Sequence, residues 1–298
     1  MAVLTPLLAQ EPAVLTSRLP SGVLRSALGL WRTRIGLVLV AVLGGIALFG
    51  PLLAPHGPGD FIGIPNTGPT AAARFGTDHI GQDVWSRFLD GGIEILVLAT
   101  LATLLGLVLG STLGMLAAYS RGVADDVIMR GMDVVLAFPQ IMLVLVAIST
   151  LGPSGWLIVL AVGLTTMPRV ARVTRGAAQP VVERDFVAAA EALGVPRYGI
   201  LFGEVLPNIL SPLMVEASLR LTYAIGVIAS LAFLGFASNL NAPDWGLMIQ
   251  ENQLALVVQP WGVVLPMTAV ALLTIGTGLV GDGIARAAAG IDRTRGAP

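Results

Sequence analysis

Apolar runs of about 20 residues, each long enough to cross roughly 30 Å of hydrocarbon, recur along this chain too often for a soluble core. Composition agrees: 55% of residues are hydrophobic, 12% are charged and the mean hydropathy is +0.84. The chain is therefore read as an all-α polytopic membrane protein, since helices satisfy every backbone polar group internally. The apolar pattern predicts six spans: Ile35 to Leu53, Ile93 to Ala118, Val134 to Leu151 with Pro139 inside it, Trp156 to Val170, Ile209 to Phe236, and Gly262 to Gly281. The short turn from Gly152 to Gly155 makes the third and fourth spans an antiparallel hairpin.

Several chemistries are excluded at once. There is no cysteine, so no disulfide, thiol nucleophile or thiolate metal site. His56 and His79 are the only histidines, lie in a polar loop and read as solvated side chains. All 17 basic residues are arginine, which rules out a phosphate-binding loop dependent on lysine. A net charge of −1 gives no reason to expect nucleic acid. No Ser, His or Asp set suggests an intramembrane enzyme.

About 14 arginines fall in the N-terminal segment, the two even-numbered loops and the tail, against Arg74 and Arg87 in the opposite loops and Arg220 inside a span. That asymmetry predicts cytoplasmic termini. The expected organisation is then a cytoplasmic segment over 1–34, a first span over 35–53, an external segment over 54–92, a five-helix core over 93–284 and a cytoplasmic tail over 285–298. The core carries a cytoplasmic loop over 172–208 and an external loop over 237–261. Within 1–34, Ser21 to Arg34 reads as a surface helix with Val23, Leu24, Leu28 and Trp31 on one face. Pro55 after Ala54 favours an uncleaved first span. No internal repeat is visible, so a path on a twofold axis needs a second subunit.

The polar stretch from Arg169 to Asn208 is built to dock against something soluble. Asp185 is expected to cap a helix beginning at Phe186, and Gly194 to close it in the left-handed conformation. Phe186, Ala190 and Leu193 would share a face. Pro196 suits the first turn of a second helix that Pro207 should stop. The apolar side chains either tuck against the spans or form a partner site. In the fifth span, Glu216 and Arg220 stand four apart and can pair; as ions buried deep in the bilayer they either line the transport path or pin helix packing. Asp133 reads as a helix-end group and Asp282 as a turn or capping acid. Trp85, Trp245 and Trp261 suit either the membrane interface or an outer docking surface.

The segments "GTDHIGQDVWSR", "DDVIMRGMDVVLAFP", "AAAEALGV" through "EVLPNILSP", "LAFLGF", "APDWGLMI" and "VGDGIARA" occur in an order and spacing similar to the permease subunits of ATP-driven dipeptide, oligopeptide and nickel importers. This resemblance covers roughly Trp31 to Asp292. It implies a type I importer permease fold in which Ala188 to Pro207 inserts into a cytoplasmic ATPase. Gly194, Leu206 and Pro207 match the family's Gly and Leu-Pro positions. Ala188-Ala189-Ala190 stands where Glu-Ala-Ala is usual, and Glu191 is the nearest replacement for the missing acid. The implied partners are a second homologous permease, two ATP-binding subunits and an extracytoplasmic substrate-binding protein. No cofactor belongs to this chain; ATP and magnesium are held by the partners. The rival reading is a self-contained ion-coupled carrier or channel using Glu216 and Arg220.

Overall fold

A computed structural model describes residues 20–120 and 122–289. The expectations for the polar N-terminal residues 1–19 and for the end of the arginine-rich tail, 290–298, lie outside the described residues. Among the described residues twelve α-helices follow in order: α1 (Pro20–Gly29), α2 (Trp31–Leu53), α3 (Val84–Asp90), α4 (Ile93–Ser120), α5 (Val123–Leu136), α6 (Gln140–Leu151), α7 (Gly155–Val182), α8 (Asp185–Ala192), α9 (Arg197–Gly199), α10 (Leu206–Phe233), α11 (Trp245–Asn252) and α12 (Trp261–Ala289). A π-helical turn (Ile200–Val205) joins α9 to α10, and a 3₁₀ turn (Gln253–Ala255) follows α11.

The centre of the fold is the pairing of α4 with α7. Gly106, Gly110 and Gly114 recur every four residues on α4, so they share a face and let the two backbones close together. A Cβ at Gly106 would stand 2.3 Å from Thr166 Oγ1, one at Gly110 2.6 Å from Val170 Cβ, and one at Gly114 2.4 Å from the Ala171 carbonyl oxygen. Without a strong hydrophobic force between helices in lipid, such close van der Waals approach is what holds them. Helix α10 packs on this pair, α12 packs on α10, and α2 packs on α12.

Among the described residues, five helical segments are long and apolar enough to span: Trp31–Leu53, Val84–Ser120, Gly155–Val182, Arg197–Phe233 and Trp261–Ala289. The predicted third span is different. It is a bent pair, α5 and α6, turned by 78° at Ala137 to Pro139. Pro139 is the N-cap of α6, because its ring cannot continue α5 and the preceding residue is pushed out of the helical region. At 12 residues α6 is only about 18 Å long, too short to cross alone.

The last span also runs further than expected, to Ala289, so Asp282 is an exposed mid-helix residue 4.0 Å from Arg32 rather than a cap. The expected surface helix over 21–34 breaks at Leu30. Its packed face is Val23 and Ala27 against Ile284 and Ala287 of α12, while Leu28 and Trp31 are exposed.

Candidate functional site

The polar loop is anchored to the spans at one end of the bundle by a separate apolar cluster. Met115 and Ala118 of α4, Ala178, Val181 and Val182 of α7, and Ile209 and Leu213 of α10 enclose Val187 of α8 together with Ile200, Leu201 and Val205 of the π turn. Phe186 and Ala190 pack on the rim of this cluster, but Leu193 stands 83% exposed, so the predicted three-residue face splits into an anchor and a free tip. The outward surface carries Ala188, Ala189, Glu191 and Ala192, with Leu193 and Tyr198 beyond. Small alanines flanked by large exposed apolar side chains make a surface that another protein can approach closely.

The helix ends only partly follow expectation. Gly194 adopts φ +76°, Gly194 N–H donates to Glu191 O at 3.0 Å, and Val195 N–H donates to Ala190 O at 3.1 Å. This is the glycine-terminated closure predicted from sequence, needing a conformation that L side chains resist. Asp185, in contrast, is the first residue of α8; Arg184 is the N-cap, and no side chain caps the helix. Asp185 contributes only its charge at the positive helix end. A cleft of about 360 Å³ lies between α8 and the end of α7, lined by Tyr119, Val182, Glu183, Arg184, Ala188 and Glu191.

Pro207 does not stop the second helix. The chain runs helically from Arg197 to Phe233 because the π turn accommodates it: Leu206 N–H donates five residues back, to Leu201 O. Pro207 then sits in the first turn of α10, where a missing N–H is tolerated. The segment from Asp185 to Pro207 is thereby joined to α10 through a continuous helical turn.

Along α10, Arg220 Nε lies 2.8 Å from Glu216 Oε1, and the two side chains are only 11% and 6% exposed. The Arg220 guanidinium stands 5.1 Å from the ring centroid of Tyr223, whose side chain is exposed. The pair is therefore enclosed by the chain's own helices and reaches the surface beneath one aromatic ring.

Residues 110–289 match the model of the family described as binding-protein-dependent transport system inner membrane component. The chain belongs to that family. It is 33% identical over 255 residues to the dipeptide transport system permease protein DppC of Alkalihalophilus pseudofirmus, covering 84% of this chain and 83% of that protein. It is 33% identical to the glutathione transport system permease protein GsiD of Pectobacterium atrosepticum, covering 83% of each. It is 32% identical to the peptide transport system permease protein SapC of Escherichia coli O6:H1, covering 92% of this chain and 97% of the relative. The chain is thus a multi-pass inner-membrane permease subunit of an ABC importer, with the type I permease fold. Such permeases typically lack an ATPase site of their own, and the family works with a binding protein.

At the opposite end of the bundle, this permease carries a layer that the sequence reading underestimated. Phe75 to Arg87 is mostly buried rather than a loose exposed loop. Asp83 caps α3 by accepting from Trp85 N–H and Ser86 N–H. Asp78 accepts from Gln82 N–H at 2.7 Å and pairs with Arg87, which reaches Glu251 of α11 at 2.9 Å. Neither histidine is simply solvated: His56 Nδ1 lies 3.4 Å from Asp83, and His79 Nδ1 lies 3.8 Å from Asp78.

Trp261, Phe75, Trp85, Phe88 and Trp245 form a continuous aromatic row with centroids 5.1 to 5.6 Å apart. Trp245 is fully buried and donates from Nε1 to Phe88 O at 2.9 Å, so it is a core pillar and not an interface anchor. Burial pushes the Asp244 carboxyl up to about 6, despite the lowering effect of the Gly246 and Leu247 N–H groups that it accepts; Glu94 and Glu251 add repulsion.

Asp133 lies in the last turn of α5. It pairs with Arg172 of α7, one of three such contacts: Arg175 binds Asp125 through two nitrogens, and Arg169 donates to Gln140 at 2.9 Å.

Proposed function

We propose that this chain is one of two homologous permeases in an importer of di- or oligopeptides, driven by two separate ATP-binding subunits and fed by an extracytoplasmic binding protein. Peptide cargo is proposed because the relatives described above carry the names dipeptide, glutathione and peptide transport permease. The carrying observation is the stiff, outward-facing segment from Asp185 to Pro207, anchored through Val187 and the π turn to α4, α7 and α10. Binding of ATP to the partners moves α8 and α9, and the anchor passes that motion to the spans. In this reading the segment from Asp185 to Pro207 and both termini are cytoplasmic, and the layer from Phe75 to Arg87 and 237–261 faces outward.

Ala188, Ala189, Glu191 and Gly194 meet the ATPase groove while Ala190 turns to the anchor, with Glu191 taking over the role of the acid absent at Ala188. Leu206 and Pro207 seat the segment on α10, and Asp185 supplies negative charge at the start of α8. Glu216 and Arg220 border the path near Tyr223, a role that their depth and charge support. Arg220→Gln tests it: uptake falls while the complex still assembles, and normal uptake by an assembled complex removes the pair from the path.

Leu193→Asp tests the coupling role. The exposed tip leaves folding intact, so the complex assembles, but its ATP hydrolysis no longer drives uptake. Uptake per ATP unchanged from the parent complex would contradict the assignment.

A further inference from the structure

Three arginines on α7 stand three residues apart, Arg169, Arg172 and Arg175, and each is held by the bent pair α5–α6, through Gln140, Asp133 and Asp125 respectively. The innermost rung is closed in, with Asp125 buried. The other two are not. Arg172 and Asp133 keep about half of their side-chain surface, 51% and 56%, and Arg169 is exposed.

Their depth makes this exposure informative. Exposed Trp156, in the first turn of α7, suits the outer membrane boundary. At 1.5 Å per residue, Arg169 then lies about 20 Å and Arg172 about 24 Å along a hydrocarbon layer roughly 30 Å thick. A carboxylate on one methylene cannot reach back to the headgroups as a long arginine can. Asp133 with half its surface in lipid would cost several kcal/mol. Its neighbours sort accordingly around α5. Met132 and Asp125 face α4 and α7, Val123, Val127 and Val134 form an exposed apolar stripe, and Asp126, Asp133 and Ala137 lie on a separate exposed stripe between them.

We infer that the face carrying Asp133, Ala137, Gln140, Arg169 and Arg172 is the water-filled wall of the cytoplasmic half of the translocation path. The inference rests on the importer reading and on its orientation. The wall pairs each accessible guanidinium with an acid or amide, so it wets the path without a strong field of one sign. That suits a solute carrying both charges, such as a zwitterionic peptide, which neither sign of wall would trap.

Because this chain contains no cysteine, single replacements can be read cleanly on its own band. Ala137→Cys and Gln140→Cys are placed in the full complex in inside-out vesicles and treated with a membrane-impermeant sulfonate thiosulfonate reagent. Val42→Cys, on the exposed apolar face of α2, is the lipid-facing control. Ala137→Cys leaves all three arginine contacts in place, so one variant is free of structural damage. Both positions are expected to react at least about tenfold faster than the control, because a charged reagent is excluded from hydrocarbon, and to slow when the nucleotide-bound state is trapped. Reaction at the control rate in every nucleotide state overturns the inference, and so does fast reaction indifferent to nucleotide, which would mark a permanent cytosolic surface. ATP-driven release of a dipeptide loaded with the binding protein into the lumen of the same inside-out vesicles is scored separately: release that persists while neither cysteine reacts refutes the wall and leaves the importer standing, whereas release that ignores ATP refutes the importer itself.

Discussion

Gly194 closes α8 at φ +76°, a conformation in which any side chain is strained. Gly194→Val is expected to cost about 1–2 kcal/mol locally and to loosen the coupling tip, lowering uptake per ATP while leaving the spans assembled. Size-exclusion of the complex beside an uptake assay checks it. Asp244 gives a prediction with a sign. Its carboxyl titrates near 6 when folded and at the ordinary 3.8 when exposed, so the fold binds the proton more tightly. The charged form therefore weakens the outer layer progressively as pH rises from about 4 to about 6, by up to ~3 kcal/mol, and the loss is complete above that window. Asp244→Asn keeps a capping oxygen for Gly246 and Leu247, so it should raise the melting temperature at pH 7.5 and flatten that pH dependence. A melting curve unchanged from the parent's at pH 7.5 would refute the penalty. Residues of this kind differ in how far sequence reveals them. Gly194 was legible because a helix-ending glycine acts locally. The partners of Arg87, His79 and Trp245 were not, since Glu251, Asn252 and Phe88 reach them from more than one element away.

Helices show the same division between local and tertiary causes. The long apolar runs of α2, α4, α7 and α12 located those spans from the sequence alone. Pro139 signalled a disturbance, yet whether a proline kinks a helix or divides it depends on what holds the two halves, here the contacts of Asp125, Asp133 and Gln140 with α7. Pro207 misled in the opposite direction, because its N–H deficit is absorbed by a π turn set by packing of Ile200, Leu201 and Val205 in the inner cluster. That turn fixes how α9 is rotated relative to α10. Deleting Gly203, which touches nothing with its absent side chain, should convert the turn to ordinary α-helix and rotate the coupling segment by about 100°. The expected result is an assembled complex that hydrolyses ATP without uptake; retained coupling would show that the turn has no part in the linkage.

Across the whole molecule, two clusters of buried side chains sit at opposite ends of a helical frame, one around Trp245 and Phe88 and one around Val187 and the π turn. The glycine-lined contact of α4 with α7 runs between them and ties the two ends into a lever. A chain whose segment from Asp185 to Pro207 is a lever arm should do no work without something to move it, and this separates an importer subunit from a self-contained carrier. The most direct measurement is uptake of a radiolabelled dipeptide into proteoliposomes holding either this chain alone or the chain with its companion permease, ATPase subunits and binding protein. The account predicts accumulation only in the complete system and only with hydrolysable ATP. Accumulation at the same rate by the chain alone, with no nucleotide present, would contradict it.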